Sequence, residues 1–463
     1  MVPAYARGIS LRPVVLYLKL RHGDNYLILV IAGKSMRDDI FHRPKLALEL
    51  ARRLLRPSAL DTQVRSGLFI SGPRQTGKST FLVQDLIPIL ESSGAITIYV
   101  DLWKAAGRTP GEKLTLAVGQ KLALLQEKQP RSFISRAKQL IGKMGLSSAE
   151  VEASVELPSN AVAGKIKGTL KFDFDPSKVG SAEGISLAEA LLTLSTRTQR
   201  DIVFIVDEVQ DMRGDGEGQL ILQELKATRD AINNRPADHG YFLFVGNGSH
   251  RSMIHEMTAQ RKQAFYGADS INYPELGDDY VQHVLDRAIE ENESVTLPST
   301  AAACKGFRIL GRRPDALKKA LQTLQTVVAQ QSNRPASRRA VDMTLDGIVN
   351  TMHDEQGNIE FEKLRLLGDL PQVVFARICR GPEEGVSGLY SGDALEDYAN
   401  ALQWEDVTTR EVQNALGKLQ SSNLVLRDGD SGPYRVTDPF LRESWLRRHR
   451  GTDGTVIHRG KGK

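Results

Sequence analysis

Short apolar runs alternate with longer amphipathic stretches in the part of the chain before residue 275. The apolar runs have no polar face, which is typical of strands that are buried on both sides of a sheet. They predict strands at 67–71, 95–101, 201–207 and 241–245. Apolar residues at helical spacing predict the intervening helices at 80–91, 112–128 and 219–233. Buried strands separated by helices form a parallel sheet with helices on both faces, so the pattern predicts an α/β fold.

Two segments depart from this alternation. Residues 130–185 contain two runs in which apolar and polar residues alternate, at 151–157 and 166–174, and these predict an inserted β-hairpin with one apolar face. The hairpin either packs on the edge of the sheet or serves as a partner-binding arm. Residues 1–35 are either a short β-element or an untranslated leader, in which case Met36 is the true start.

Beyond residue 275 the pattern becomes helical and then mixed. Helical spacing predicts helices at 278–292, 299–310, 314–329 and 336–352. A separate unit follows at 365–449, where three helical segments precede two short apolar runs. The last residues, 450–463, form a basic tail.

Composition narrows the class of protein. The 463 residues are 41% hydrophobic and 25% charged, which is typical of globular domains and argues against a wholly disordered chain. The two cysteines are far apart in sequence, which excludes a disulfide scaffold and a cysteine-based zinc module and favours a reducing compartment. The apolar runs are too short to span a bilayer, so we expect a cytoplasmic protein that does not contact a membrane.

The net charge of +5 is concentrated at the two ends of the chain. Residues 442–463 contain seven Lys or Arg residues against two acidic ones, and residues 1–35 contain five against one. The middle of the chain is therefore slightly acidic. A protein that coats nucleic acid is basic in its body, so the charge pattern argues against that class.

A glycine-rich segment with P-loop spacing lies between the first predicted strand and the first predicted helix. Its glycines let successive backbone N–H groups point at phosphate oxygens, and the helix that begins there adds the positive end of its dipole. Lys78 supplies a cation to the β- and γ-phosphates, and the Ser79 hydroxyl ligates Mg²⁺. The predicted nucleotide-binding residues are Gly72, Pro73, Arg74, Gln75, Thr76, Gly77, Lys78, Ser79 and Thr80.

Two adjacent carboxylates, Asp207 and Glu208, follow the predicted strand at 201–207. Ligands of α/β sheets bind at the carboxyl ends of strands, where both residues lie. Asp207 is expected to orient the Mg²⁺ shell, and Glu208 is expected to position and polarise the attacking water. Two carboxylates without a second lysine favour hydrolysis over phosphorylation of a small metabolite.

A polar amide, Asn247, follows the strand predicted at 241–245. An amide both donates and accepts hydrogen bonds, which suits a sensor of the γ-phosphate or of the attacking water. The alternative is a turn residue before Gly248, since asparagine also favours turns.

This combination resembles the AAA+ class of P-loop ATPases. The similarity rests on Gly72–Ser79 as Walker A, Val203–Glu208 as Walker B and Asn247 as the first sensor. The segment that begins at Gly311 resembles the second-sensor helix of the lid, with Arg313 as its arginine.

Within the class, the chain is most similar to the archaeal-type, STAND-like and origin-recognition-like branch. The features that carry this similarity are the segments 207–210 and 99–103 and a C-terminal unit that resembles a winged helix. The resemblance implies ATP and Mg²⁺ as cofactors, with Glu208, Asn247 and Arg313 as catalytic residues and Ser79 and Asp207 at the metal. It divides the chain into an N-terminal extension (1–35), a P-loop core (36–275), a helical lid (276–355), a winged helix (365–449) and a basic tail (450–463).

One departure from that branch concerns the arginine that a neighbouring subunit supplies. Relatives often carry an arginine at the position of Ala268, in the segment Phe265-Tyr-Gly-Ala268. The remaining candidates nearby are Arg251 and Arg261, which are otherwise expected to be solvated surface residues. An arginine finger contributes about 10³–10⁵ in rate, so its absence predicts slow turnover without a partner.

The winged-helix-like unit also raises the question of duplex DNA. Its third helix, capped by Thr408 or Thr409, exposes polar residues that could read base edges: Arg410, Gln413, Asn414, Lys418 and Gln420. Two cations are few for phosphate neutralisation, and the wing tip at 428–432 is acidic, although the basic tail could add charge. Such units also serve as intramolecular regulators in this branch.

Three functions therefore remain open. The first is an ATPase that acts as a nucleotide-driven regulatory switch with a protein partner or by self-association. The second is a DNA-binding loader or initiator-like ATPase that uses the winged helix. The third is a nucleotide-binding module with negligible hydrolysis.

Overall fold

The computed structural model describes residues 16–22, 25–31, 40–104, 107–126, 146–150, 171–174, 187–213, 216–235, 240–292, 294–330, 337–427 and 431–449. The strands are β1 (Leu16–His22), β2 (Asn25–Ile31), β3 (Leu68–Ser71), β4 (Ile96–Asp101), β5 (Leu146–Glu150), β6 (Lys171–Phe174), β7 (Ile202–Asp207), β8 (Phe242–Gly248), β9 (Asp269–Asn272), β10 (Val425–Arg427) and β11 (Tyr434–Val436). The helices are α1 (Pro44–Leu55), α2 (Lys78–Phe81), α3 (Ile87–Ser92), α4 (Pro110–Gln126), α5 (Leu187–Thr198), α6 (Gly216–Asn233), α7 (Arg251–Ala259), α8 (Asp278–Glu291), α9 (Thr300–Ile309), α10 (Pro314–Gln330), α11 (Arg338–Leu366), α12 (Asp369–Arg380), α13 (Gly392–Leu402), α14 (Thr409–Ser421) and α15 (Pro439–Arg448). A π-helical turn at Leu82–Leu86 joins α2 to α3, and short 3₁₀ helices lie at Thr62–Ser66 and Val209–Arg213.

A five-stranded sheet in the order β4-β7-β8-β3-β9 lies at the centre of the first half of the described chain. All neighbouring strands in it are parallel. The register places Asp207 of β7 opposite Asp101 of β4 on one side and opposite Asn247 of β8 on the other. The polar ends of three strands therefore meet at one edge of the sheet, next to the segment that follows β3.

Helices cover both faces of this sheet because successive strand residues point to opposite sides. Phe204 and Val206 of β7 lie in a core with residues of α4, α5 and α6. Val203 and Ile205 of the same strand lie in a second core with residues of α1 and of the α2–α3 segment. This arrangement confirms the predicted α/β fold class. The sequence pattern did not reveal α5, α7 or the edge strand β9.

The helices from α8 to α11 form a bundle with a hydrophobic core of its own. The last of them was predicted to end at residue 352, and that end is wrong because α11 continues to Leu366. Its buried residues include Val349, His353, Gly357 and Leu364, so one face of the helix remains covered across the predicted end. The first part of α11 packs in the bundle, whereas Leu364 packs in the core of the following unit.

The unit after α11 contains α12 to α15 and the antiparallel pair β10–β11 around one core. Its three predicted helices and two predicted strands are present, with small shifts at their ends. Thr408 is the residue that caps α14. Its hydroxyl accepts from the backbone of Glu411, whose carboxylate accepts from the backbone N–H of Thr408, forming a capping box.

Two further pairs of antiparallel strands lie in the N-terminal extension and in the insertion. β1 pairs with β2 in the N-terminal extension, as one of the two alternatives for residues 1–35 predicts. β5 pairs with β6 in the insertion, so the insertion contains an antiparallel pair whose first strand precedes the predicted run. That run, 151–157, lies outside the described residues, as do residues 428–430 of the predicted wing tip and the basic tail. Across the part of the chain that the structure describes, no helix is both long enough and apolar enough to span a bilayer.

Candidate functional site

The segment between β3 and α2 turns sharply and presents its backbone to a cavity of about 1040 Å³. Gly77 immediately precedes α2 with a φ of 86°, and Gln75 has a φ of 62°. Both values lie in the left-handed region, where glycine has no steric penalty. A side chain at Gly72 would bring its Cβ to 3.3 Å from the Cβ of Tyr273, so this position favours glycine for lack of space. The loop and the N-terminus of α2 thus form a concave, N–H-lined surface suited to phosphate.

Lys78 is the buried cation of this loop, with 6% of its surface exposed. Its ammonium donates hydrogen bonds to the carbonyl oxygens of Gly72 (2.8 Å) and Pro73 (2.6 Å). Burial lowers the pKa of Lys78 to about 8, although the carboxylates of Glu208 and Asp207 oppose that shift. The ammonium is therefore poorly solvated, and a phosphate that reaches it would replace missing water.

Nucleotide affinity should depend on pH through Lys78. Bound phosphate favours the charged lysine, so binding is strongest below the pKa of about 8 and weakens as pH rises through it. We expect the Kd for ATP to rise by up to about tenfold per pH unit above that value, with proton uptake on binding near pH 9. Isothermal titration in buffers of different ionisation enthalpy measures both quantities. A Kd that is constant between pH 7 and pH 9.5 would contradict the assignment of Lys78 as the phosphate cation.

Asp207 lies at the carboxyl end of β7 with 2% of its surface exposed. One of its oxygens accepts from the hydroxyl of Tyr99 at 2.8 Å. The other accepts from the side-chain amide of Asn247 and from the backbone N–H of Glu208, the latter at 3.0 Å. Burial, and then the adjacent Asp207 carboxylate, raise the pKa of Tyr99, so the phenol stays a donor. These three donors fix the carboxylate in one orientation.

Glu208 follows with a φ of 56°, a left-handed conformation that costs about 1–2 kcal/mol for a residue with a side chain. Its carboxylate accepts from the hydroxyl of Ser249 at 2.9 Å and from the Ser249 backbone N–H at 3.3 Å. The side-chain amide of Gln210 donates to the same oxygen. A strained turn and three donors thus hold Glu208 at the cavity wall, an arrangement typical of functional sites.

Asn247 lies within β8 rather than in a turn, so the turn alternative is wrong. It is completely buried and donates to Asp207, and its own oxygen has no hydrogen-bond partner among the described residues. The side chain that lines the cavity beside Glu208 is instead Ser249, two residues later. In this conformation Asn247 orients Asp207, and direct contact with a γ-phosphate stays a prediction.

The donor set fits the Mg²⁺ that a nucleoside triphosphate brings with it. Ser79 is exposed at the start of α2, and Ser79 and Asp207 line the same cavity. Both offer oxygen, the ligand type that Mg²⁺ prefers, and Mg²⁺ commonly takes one or two protein oxygens with phosphate and water. Ser79 would bind the ion directly, and the fixed Asp207 carboxylate would hold its water shell.

A second wall of the cavity comes from the segment before α1 and was missed by the sequence analysis. Ile40, Phe41 and Arg43 line it. Asp85, in the π-helical turn, accepts from the ring of His42 at 2.7 Å and from the backbone N–H of Arg43 at 3.0 Å. Its carboxylate raises the pKa of His42. The π-helical turn that follows the P-loop therefore holds this wall of the cavity in place.

Two arginines connect this cavity to the C-terminal unit. Arg313, predicted as the lid arginine, lies immediately before α10 and forms an ion pair with Asp438 at 2.8 Å. Its guanidinium also lies 4.8 Å from the ring centroid of Phe440. Arg251, at the start of α7, donates to the carbonyl of Thr437 at 2.6 Å. All four polar residues line the cavity, so consecutive residues 437 and 438 engage both arginines.

The same two units also meet at the N-terminus of α7. The His250 ring nitrogen lies 3.1 Å from the carbonyl oxygen of Ser421, and the Ser252 hydroxyl donates to the carbonyl of Gln420 at 2.9 Å. Asn423 bonds the backbone of Ser252 and of Ser249. The C-terminal end of α14 and the residues just after it are therefore docked on the core, and Asn423 contacts Ser249, which is a hydrogen-bond partner of Glu208.

The candidates for a trans-acting arginine differ in their surroundings. Ala268 is 8% exposed and packs in the core near Gly67, so this position does not face a neighbour. Arg251 is engaged within the chain. Arg261 is exposed and does not line the cavity.

The face of α14 that was predicted to read DNA is exposed in its first half and contacts other parts of the chain in its second half. Arg410, Gln413 and Asn414 are exposed. Lys418, also exposed, donates to the carbonyl of Leu367, and the Gln420 backbone contacts the core. The half of the face nearest the C-terminus of α14 therefore takes part in intramolecular contacts.

Known proteins were compared with the chain by sequence and by structure. No protein-family model matches the sequence, and no curated protein matches it. Among solved structures, the ORC2 protein of Aeropyrum pernix in its ADP form is 14% identical, with a TM-score of 0.46 over 90% of this chain and 99% of that one. The A. pernix ORC1 protein in complex with DNA is 14% identical, with a TM-score of 0.36 over 88% and 93%. Cdc6p of Pyrobaculum aerophilum is 12% identical, with a TM-score of 0.30 over 87% of this chain and 92% of that one.

Proposed function

We propose that the chain is an ATP-binding, Mg²⁺-dependent AAA+ ATPase that acts as a nucleotide-driven switch. The observation that carries this proposal is the content of one cavity. It contains the P-loop with Lys78, the carboxylates of Asp207 and Glu208, and two arginines that are bonded to the C-terminal unit. The first two features serve hydrolysis, and the third links the nucleotide to a second unit of the protein.

For hydrolysis, the loop N–H groups and Lys78 hold the β- and γ-phosphates. The Glu208 carboxylate accepts a hydrogen bond from the attacking water and orients its lone pair toward the γ-phosphorus. Ser249 and Gln210 keep Glu208 in that position. Bound Mg²⁺ supplies charge neutralisation on the phosphate oxygens.

For switching, the relevant feature is competition for Arg313. Its guanidinium bonds the Asp438 carboxylate, and both side chains remain partly exposed, by 14% and 25% of their surfaces. A γ-phosphate in the cavity is a second anion for the same cation, and ADP lacks it. ATP therefore favours a state in which Arg313 leaves Asp438, whereas ADP retains the ion pair. A ligand shifts a two-state equilibrium by its difference in affinity for the two states.

Removing the charge of Asp438 tests this competition. Asp438 also caps α15 through Oδ1, which accepts from the backbone of Phe440 at 2.9 Å. Asp438→Asn keeps an acceptor for that cap and removes the anion, so the fold should persist. Because a partly exposed ion pair contributes about 1 kcal/mol at most, we expect ATP to bind up to about fivefold tighter while ADP binding hardly changes. Isothermal titration measures the ratio of the two Kd values.

The matched control is Asp393→Asn, which changes an exposed aspartate in the first turn of α13. Hydrogen exchange of residues 418–424 gives a second measure, since these amides should exchange faster with a slowly hydrolysed ATP analogue than with ADP. An unchanged ATP/ADP ratio in Asp438→Asn, together with equal exchange for the two nucleotides, would reject the switch. Binding of both nucleotides would still support a nucleotide-binding module.

A further inference from the structure

In the AAA+ class that this chain resembles, the segment corresponding to residues 261–268 supplies the trans-acting arginine. No side chain from the described part of this segment lines the cavity, and Ala268 is buried. Another arginine, Arg74, lies within the P-loop itself and lines the cavity with an exposed side chain. Its surroundings are unlike those of a solvated surface residue.

The hydroxyl group of Ser249 connects Arg74 to Glu208. Its Nε donates to the hydroxyl oxygen of Ser249 at 3.3 Å, and that hydroxyl donates to the Glu208 carboxylate at 2.9 Å. Glu208 marks where the attacking water lies, opposite the leaving group. The guanidinium is therefore on the γ-phosphate side of the P-loop rather than on the nucleoside side.

A tryptophan supports the guanidinium in this position. The Arg74 guanidinium carbon is 4.9 Å from the centroid of the Trp103 ring. The ring nitrogen of Trp103 donates to Asp211 at 2.7 Å, which fixes the plane of the indole. Half of the Trp103 surface is exposed, so the pair lies at the mouth of the cavity. Stacking on an aromatic face orients a guanidinium and leaves its edge free for hydrogen bonds.

Most of the hydrogen-bonding capacity of Arg74 is uncommitted. A guanidinium has five N–H donors, and the bond to Ser249 is the one that Arg74 makes within the described part of the chain. None of the described carboxylates forms an ion pair with it. A planar fork of this kind binds phosphate oxygens in a bidentate manner.

We propose that Arg74 is a catalytic residue that supplies, from within the same chain, the positive charge at the γ-phosphate that class members receive from a neighbour. This inference rests on the proposed ATPase function. The water oxygen forms a bond to the γ-phosphorus as the bond from that phosphorus to the β,γ-bridging oxygen breaks. The bridging oxygen keeps the electron pair and leaves as ADP, and the water proton passes by way of Glu208 to solvent. Arg74 donates to the γ-phosphate oxygens on which charge accumulates during this exchange.

The experiment compares Arg74→Ala, Arg74→Lys and the control Arg339→Ala with the unaltered full chain, using Mg²⁺-ATP. Arg339 is exposed on α11, away from the cavity, so the control removes one surface arginine. We expect Arg74→Ala to lower the single-turnover rate by about 10³-fold, at the lower end of the range for arginine fingers. The Kd for ATP should change less than about tenfold, because the P-loop backbone and Lys78 remain. Lysine should restore only part of the rate, since it keeps the charge and loses the planar fork.

Two further measurements keep a cis role separate from a trans role and from misfolding. The single-turnover rate of the unaltered protein should be independent of protein concentration, and a steep rise that Arg261→Ala abolishes would overturn the inference. The emission of Trp103 should change on addition of Mg²⁺-ATP, and both Trp103→Phe and Arg74→Ala should lose that change. The same response in Arg74→Ala as in the unaltered protein would also overturn the inference.

The outcomes also distinguish this inference from the proposed function. If the unaltered protein binds ATP and does not hydrolyse it, both proposals fail. If it hydrolyses ATP and Arg74→Ala does so equally well, the ATPase assignment holds and the role of Arg74 is rejected.

Discussion

Replacement of Lys78 by alanine should abolish ATP binding, with the largest effect of any single substitution in the cavity. Lys78 is the ammonium that the P-loop buries, and the bound phosphates lose charge-assisted hydrogen bonds when it is removed. The variant should nevertheless fold. Burial lowers the pKa of Lys78, so its charge costs stability in the free protein and its removal relieves that cost.

Thermal unfolding separates these two effects. The unaltered protein gains about 2.7 kcal/mol of stability when ATP is present at 100 times its Kd. Lys78→Ala should keep the melting temperature of the free protein, or exceed it, and show no increase with ATP. Lys226→Ala, an exposed lysine on α6, is the control and should respond to ATP like the unaltered protein. An unchanged affinity of Lys78→Ala by isothermal titration would refute the assignment of the cavity to nucleotide.

Replacement of Glu208 by glutamine should leave ATP binding intact and slow hydrolysis by about 10²–10⁴-fold, the usual contribution of a positioned general base. Glutamine has the same shape and keeps an oxygen that accepts from Ser249, so the loop should hold its conformation. It has no negative charge with which to polarise water. The rate constant from single-turnover phosphate release measures the loss, and Glu396→Gln on the exposed side of α13 is the control. Equal turnover in Glu208→Gln would make Glu208 a structural residue of the turn.

The parts of the fold and site that could be predicted from sequence are those encoded by local patterns. The run 202–206 is apolar on both faces because the strand is buried on both, and Asp207 and Glu208 mark where the apolar run ends. The P-loop residues are contiguous, so spacing alone brings Lys78 and the loop backbone together. Thr408 and Glu411 form a capping box that spans one turn, and this local pattern indicates the start of α14.

The remaining features depend on contacts between distant segments, which no local period encodes. β9 is a short edge strand with one apolar residue, Ile271, and its burial pattern alternates too briefly to be distinguished from a loop. The ion pair between Arg313 and Asp438 joins residues 125 positions apart. Asp438 caps α15 through one oxygen, and no local pattern indicates that its other oxygen accepts from Arg313.

Asn247 is another residue whose hydrogen-bond partner could not be predicted from the local sequence pattern. Its place at the end of β8 follows from the sequence, whereas its orientation follows from the register between β7 and β8. That register puts its amide against Asp207, and Ser249 becomes the residue that contacts Glu208. The position of a polar residue near a strand end was predictable, and the identity of its hydrogen-bond partner was not.

Because α11 is long, a small change in its tilt would move its far end by a large distance. Its 29 residues form one uninterrupted helix, about 43 Å long at 1.5 Å per residue, with one end in the helical bundle and the other in the core of the C-terminal unit. A tilt of about 10° at the bundle end would carry Leu366 through about 7 Å, more than one helical turn. The change of chain direction comes after the helix, at Gly368, whose φ of 107° favours glycine. A tilt of that size at the bundle end would thus move the C-terminal unit by more than the length of the hydrogen bonds, 2.6 and 2.9 Å, through which Arg251 and Ser252 hold it to the core.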